Sequence, residues 1–506
     1  MNSSPFFRRC LAVLFAIVVT GLTVFRLGAA EPAKPNVIVI LADDQGYADL
    51  GVQGQVPDVR TPNLDALAAG GVRCLAGYDT APQCSPSRAG LLTGRYQQRF
   101  GFDTIPDCPL PLTETTLANR LQPAGYTCGM VGKWHLDPNP TSVKWMAVNL
   151  PEMKGKPRNQ IRIPLAELIK YSAGRRGFQE FFQGEMEHYL ANFDLTGKPL
   201  APGGEWVDTK GQYRIDVKTA AALAFLHRNQ SHPFFLYLAY MAPHTPLDAP
   251  KKYLDRFPGP MPERRRYALA MMSAIDDGVG KVMAFLRESG LETNTLVFYT
   301  SDNGAPLHHL RDSPVKTDMG GWDGSLNTPW IGEKGMLLDG GMHVPFLVRW
   351  PGVLPAGKVY AQPVSTLDIA ATAVSVAGLP ADAKLDGVNI VPFLAGTASG
   401  VPHESLFWRF WDQAAVRSGQ WKYLQAGNAG QYLFDLTTDD QEKRNLIREH
   451  PEIAERLRAE LTDWCNQMKP PGLPERPLNV QEAPWYEQYL GLEPQPAVKL
   501  LAAPGD

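Results

Sequence analysis

The chain has 506 residues, enough for two or three domains, and 44 % hydrophobic with 20 % charged residues excludes a disordered, collagenous or coiled-coil protein. A net charge of −3 supplies no global basic field for nucleic acid, and six cysteines are too few for a disulfide framework. With 46 glycines and 44 prolines the composition favours a loop-rich fold over a helical bundle.

Residues 1–30 place Arg8 and Arg9 before an apolar run from Cys10 to Phe25 and end on Gly28-Ala29-Ala30. This is the pattern of an export signal cleaved after Ala30, with an uncleaved anchor as the alternative. No later segment is apolar for long enough to span a membrane, so the expected location is periplasmic or secreted, with no stable membrane insertion.

Asn36–Leu41 is a short, continuously apolar, β-branched run, the mark of a strand buried on both faces. Phe234–Ala239, Leu296–Thr300 and Pro345–Arg349 read the same way. Between them lie helical patterns over Asn63–Gly70, Thr116–Ala124, Asp216–Arg228 and Arg264–Ser289. The predicted class is α/β: a mixed, mostly parallel sheet sandwiched by helices over residues 31–396. From Ser405 the pattern changes to short β-like runs and one helix, Pro451–Met468. A small antiparallel sheet plus helix is expected over residues 397–470, then a Pro-rich tail over residues 471–506.

Two long stretches fit neither pattern. Pro138–Arg176 carries eight cations (among them Arg175 and Arg176) against the acids Glu152 and Glu167, and reads either as a polyanion-binding loop or as a solvated insertion. Ala305–Trp330 is rich in Gly, Asp and Asn, with His308, His309, Arg311 and Trp322. This stretch and Trp408-Arg409-Phe410-Trp411-Asp412 are the better candidates for a sugar pocket, since aromatics stack on sugar faces.

Asp43 and Asp44 follow the first strand directly, and Asp302-Asn303 follow another. In open α/β sheets ligands bind beyond the carboxyl ends of strands, so these four side chains can converge. Three carboxylates and one amide suit a hard cation, Ca²⁺ or Mg²⁺, although each pair by itself also fits turn or cap chemistry.

The segment Cys84-Ser85-Pro86-Ser87-Arg88-Ala89-Gly90-Leu91-Leu92-Thr93-Gly94-Arg95 places Cys84 where a helix begins. It resembles the sulfatase signature Cys-x-Pro-Ser-Arg-x-x-x-Leu-Thr-Gly-Arg, in which the cysteine becomes Cα-formylglycine. Gly125–His135, Ala42-Asp43-Asp44, Pro243-His244-Thr245-Pro246, Ser301-Asp302-Asn303-Gly304 and Gly332-Glu333-Lys334-Gly335 match further family motifs. The resemblance runs from about Pro35 to Leu446 and implies a type I, formylglycine-dependent sulfatase with an alkaline phosphatase-like fold.

Carried over by resemblance, Asp43, Asp44, Asp302, Asn303 and the modified Cys84 would bind the metal, usually Ca²⁺. Arg88 and Lys133 would hold the formylglycine hydrate, His135 would act on its second hydroxyl, and His244 and Lys334 would face the sulfate ester. Arg95 is expected to brace the Cys84 turn. The implied partners are a sulfated carbohydrate and a formylglycine-generating maturation enzyme. The alternatives are a formylglycine-dependent phosphodiesterase or phosphonate hydrolase, and a non-catalytic glycan-binding protein. The family commonly has Arg where His343 stands.

Overall fold

The computed structural model describes residues 34–315 and 321–491; the expected export signal and the end of the expected tail lie outside the described residues. A ten-stranded sheet organises the chain. At its centre the strands Thr295–Ser301, Asn36–Asp43, Phe234–Pro243 and Thr127–Gly132 lie side by side in that order, all parallel. Register is tight: Val39 faces Tyr237 on one side and Phe298 on the other. Antiparallel strands close both flanks, which makes the sheet mixed.

Every residue of Asn36–Asp43 is buried, because both faces are covered. Ile38 and Ile40 pack with the helices Arg214–Asn229 and Glu263–Glu288. Val37, Val39 and Leu41 point the other way, into a core shared with Cys84–Thr93, Leu117–Leu121 and Leu367–Val376. Strand alternation thus divides one apolar run between two cores.

Ser405–Phe410, Gln413–Ser418, Trp421–Ala426 and Gly430–Asp435 form a separate antiparallel meander. One face takes the helix Pro451–Asn466 through Val416, Tyr423, Leu433, Leu457 and Leu461. The other buries Trp408, Ala415 and Leu424 against Tyr78, Leu337 and Met342, which joins the meander to the main body.

Three expectations need correction or detail. Pro138–Arg176 is not without secondary structure: Val143–Asn149 and Leu165–Tyr171 are helices, packed around Trp145, Met146, Leu150 and Ile161. Arg176 does not belong to a solvated charge run. It is buried and donates to the carbonyls of Pro111 and Glu114, whereas Arg175 is exposed. The tail contains a helix, Glu482–Leu490. Cys74, Cys84, Cys108, Cys128 and Cys465 are all buried free thiols.

Candidate active site

The four central parallel strands end at one place, and each is followed by polar residues that meet there. Asp43 closes its strand and Asp44 follows with φ 64°, a left-handed backbone that only surrounding contacts can hold in a non-glycine residue. Those contacts are present: the Asp44 amide donates to Asp302 Oδ1 at 3.1 Å, and the Asp302 amide donates to Ala42 O at 3.2 Å. His244 is hung from the same point, its amide donating to Asp43 O at 3.2 Å. Lys133 follows Gly132, whose φ of 103° and ideal Cβ position 1.9 Å from Ala239 O leave room for glycine only. That close approach lets the Lys133 amide bond Ala239 O at 2.9 Å, which fixes where its side chain starts.

Cys84 is the first residue of a ten-residue helix that is buried along its whole length and ends on Gly94 at φ 67°. Its Sγ lies 3.5 Å from Asp43 Oδ1 and 3.9 Å from Asp44 Oδ1, with Lys334 Nζ at 3.2 Å. Lys334 also bonds both oxygens of Asp44, at 2.6 and 2.8 Å. Lys133 Nζ reaches Asp43 Oδ2 at 2.7 Å. Arg88, one helical turn after Cys84, places Nε and Nη2 on Asp302 Oδ2 at 2.9 and 2.6 Å and Nη1 on Lys133 O at 3.0 Å. His244 Nε2 stands 3.7 Å from Asp44 Oδ2, and its Nδ1 meets Thr245 O at 2.5 Å.

Three cations and three carboxylates therefore share one buried space, and their protonation follows from it. Burial opposes ionisation of Asp43, yet Lys133, His244, Arg88 and Lys334 together hold it well below the carboxylate range. Asp302 moves the other way, to about 6, through burial and the neighbouring Asp43 charge, with Arg88 opposing. Burial, then the charges of Lys133 and Arg88, push His135 well below the imidazole range. His244 is lowered by burial and Lys133, against Asp43 and Asp44.

Two buried polar atoms among the described residues carry the signature of a site built for a ligand. Asn303 donates through Nδ2 to Asp44 Oδ1 at 2.6 Å and to Gly304 O at 2.9 Å, which leaves its Oδ1 without a partner. His135, at φ 55°, has an unpartnered Nδ1. Oxygens of Asp43, Asp44 and Asp302, with Cys84 Sγ, lie within 4.8 Å of one another; the carboxylate oxygens and the free Asn303 oxygen fit a hard divalent cation, whereas the sulfur is a soft donor.

A family model described as Sulfatase matches residues 35–379. The chain belongs to the sulfatase family. The model of the N-sulphoglucosamine sulphohydrolase C-terminal region matches residues 330–467 of this sulfatase. It is 34 % identical over 406 residues to N-acetylgalactosamine-6-sulfatase of Canis lupus familiaris, covering 73 % of this chain and 68 % of that protein. It is 29 % identical to the uncharacterized sulfatase YdeN of Escherichia coli over 87 % of this chain and 86 % of that one. The crystal structure of Ps i-CgsB in complex with k-i-k-neocarrahexaose superposes with a TM-score of 0.70 at 28 % identity, over 90 % of this chain and 97 % of that chain. The sulfatase is a sulfuric ester hydrolase with a candidate metal site, and among its described residues no helix is long and apolar enough to cross a membrane.

Arg95 pairs with Glu114 where the Cys84 helix ends. His343 is buried, stacked on Trp330 at 4.5 Å between centroids and 3.1 Å from Asp339 Oδ2. Sequence reasoning missed the residues that hold the Lys334 loop. Gln413 donates to Gly335 O at 2.9 Å and accepts from the Leu337 amide at 3.0 Å. Gln413 is itself fixed by Glu482 at 2.9 Å and Tyr486 at 2.5 Å, from the C-terminal helix. A signal for that helix exists: Asn479 and Glu482 exchange side-chain-to-amide bonds at 3.0 Å each way, the reciprocal pattern of a capping box.

Proposed function

We propose that this sulfatase removes sulfate from a sulfated carbohydrate, a polysaccharide or glycosaminoglycan fragment, with Cys84 oxidised to formylglycine as nucleophile and Ca²⁺ as the metal. The observation that carries the reading is the meeting of Cys84 Sγ with Lys334 Nζ at 3.2 Å and Asp43 Oδ1 at 3.5 Å, at a point where Asn303 presents a free oxygen. Names among the matches support the substrate class: one relative acts on N-acetylgalactosamine 6-sulfate by its name, and one structural neighbour holds a neocarrahexaose.

Asp43, Asp44, Asp302, Asn303 and the modified residue 84 would hold the cation, which supplies positive charge to the sulfuryl oxygens and neutralises the carboxylates. An aldehyde hydrate at residue 84 offers one oxygen to sulfur and a second for its own regeneration. The remaining work falls to this chain's side chains. Arg88 and Lys133, both buried and anchored on carboxylates, fix the position of residue 84 and present charge that needs no reorganisation. Lys334 is the one of these cations with partial exposure (17 % of its side chain), so it meets the sulfate group as the ester enters. His135 is kept neutral by burial and by Lys133 and Arg88, the state required to accept a proton from the second hydroxyl.

His244, a quarter exposed and turned towards Asp44, is the proton donor to the leaving oxygen. A sugar alkoxide is a strong base and needs that proton, whereas a nitrophenolate does not. His244→Ala is expected to lower kcat/KM on a sulfated sugar by about 10²–10⁴-fold, the usual scale of general acid catalysis, and to affect 4-nitrophenyl sulfate much less. Because the His244 pKa is lowered, the protonated acid disappears as pH rises through a value below the ordinary imidazole range. The sugar-ester profile should therefore fall on its alkaline side earlier than the nitrophenyl profile. Equal losses on both esters and parallel profiles would move the acid role to Lys334.

A further inference from the structure

A cavity of about 410 Å³ opens to solvent directly beside the proposed nucleophile. Its inner wall holds Gln83, the residue before Cys84, and Lys334, whose Nζ bonds Cys84 Sγ at 3.2 Å. Its outer wall comes from parts of the chain distant in sequence: Trp411 from the meander, and Val480 and Trp485 from the C-terminal segment. Among the described residues no carboxylate lines it, so these walls set no like charge against an anionic guest.

The aromatic pair is built deliberately. Trp411 and Asp412 form the two-residue turn between Ser405–Phe410 and Gln413–Ser418, where Phe410 pairs with Gln413. Trp411 has φ 48°. Positions of this kind favour Gly, Asn or Asp, and a bulky aromatic there carries strain that the surroundings must offset. The surroundings do: the Asp412 amide donates to Glu482 at 3.1 Å, and Asp412 Oδ1 takes Arg476 Nε at 2.9 Å. Trp485 lies nearly parallel to Trp411, with ring centroids 6.3 Å apart and planes at 13°. It also lies against the residue next to Lys334: a Cβ on Gly335 would stand 2.6 Å from Trp485 Cη2. Both indoles are half-buried, and Val480 beside them is 47 % exposed, an apolar surface facing the mouth of the cavity.

An apolar aromatic wall with a few polar groups fits a pyranose, whose C–H face packs on indole while its hydroxyls bond the polar side. A bare sulfate ion has no use for such a wall. We propose that Trp411 and Trp485 form the platform for the pyranose ring that carries the scissile sulfate, so that the C-terminal segment sets substrate choice. The proposal rests on the sulfated-sugar reading above. On it, the substrate enters with its ring against the two indoles and its sulfate turned inward to Lys334.

The test uses the full-length matured enzyme and a defined panel: N-acetylgalactosamine 6-sulfate, N-acetylglucosamine 6-sulfate, chondroitin sulfate disaccharides and sulfated neocarrabiose. On each sugar that the wild type hydrolyses, Trp485→Ala is expected to raise KM and lower kcat/KM by about 10–100-fold, the loss that corresponds to one buried aromatic side chain. Trp485→Phe should recover most of this. The inhibition constant of inorganic sulfate should stay near the wild-type value, because the ion binds inside the platform. Trp411→Ala gives a second, independent variant, with thermal melting as a check that each protein is folded. An unchanged KM in both alanine variants would overturn the platform while the sugar reading stands. A sulfate inhibition constant that rises as much as KM would also overturn it, since the Lys334 loop would then have moved. If the wild type cleaves 4-nitrophenyl sulfate and none of the sugars, the sugar reading itself fails and takes the platform with it.

Discussion

Cys84→Ala is expected to abolish sulfate release, lowering kcat by about 10⁶-fold, the scale seen when an enzyme loses its nucleophile. The fold should survive. Alanine is smaller than cysteine, favours the helix that starts here, and leaves Asp43 paired with Lys133 and Asp44 with Lys334. Mass spectrometry of the active wild type should find a peptide spanning residue 84 that carries an aldehyde in place of the thiol. The unmodified thiol is a poor nucleophile in this position, because burial raises its pKa well above the ordinary range despite Lys133 and Lys334. Production in a host without a maturation enzyme should accordingly yield a folded, nearly inactive protein. A fully active preparation with an intact Cys84 thiol would sink the proposed chemistry.

Removal of the metal should have the second largest effect. Asp43, Asp44 and Asp302 crowd one buried space, and Asn303 adds an oxygen with no other partner. Exhaustive chelation is expected to stop turnover and lower the melting temperature, with recovery on addition of Ca²⁺. Two substitutions separate metal binding from folding. Asp302→Ala removes the main partner of Arg88, a fully buried guanidinium, and should cost about 3–5 kcal/mol in stability besides activity. Asn303→Ala removes an oxygen without stranding a charge. It takes away the buried bonds to Asp44 and Gly304 O and should cost the metal-free protein about 1–3 kcal/mol, less than Asp302→Ala, while raising the Ca²⁺ concentration needed for half-maximal activity. Full activity after verified metal removal would reject the site.

Cys84, Arg88, Lys133, His135, His244 and Lys334 were legible through the resemblance to sulfatase motifs, whereas the carboxylates that gather with them were legible because two local signals coincide. An apolar run with β-branched residues marks the strands Asn36–Asp43 and Thr295–Ser301, and the polar residues that close or follow them land at the carboxyl edge of the sheet; Asp43 and Asp302 need no more than that. Arg176 shows where the reading stops. Arg175 beside it is an exposed cation, but the Arg176 side chain is sunk onto the carbonyls of Pro111 and Glu114, over sixty residues away in the chain. A local charge pattern cannot encode acceptors that arrive from elsewhere. The short helices of Pro138–Arg176 were obscured by the prolines that bound them. Glu482 and Trp485 combine both difficulties: they sit among prolines, and their partners, Gln413 and Trp411, belong to the meander.

The anchoring of the Lys334 loop by Gln413, Glu482 and Tyr486 has a consequence for how the enzyme comes into being. A ribosome has produced Cys84, His135, His244 and Lys334 long before it reaches Glu482. Until those last turns emerge, the amide of Leu337 and the carbonyl of Gly335 depend on a glutamine that has lost two of its own restraints. A chain cut before Glu482 would thus keep every reactive residue, with Lys334 still bonded to Asp44 but carried on a loop that has lost part of its support.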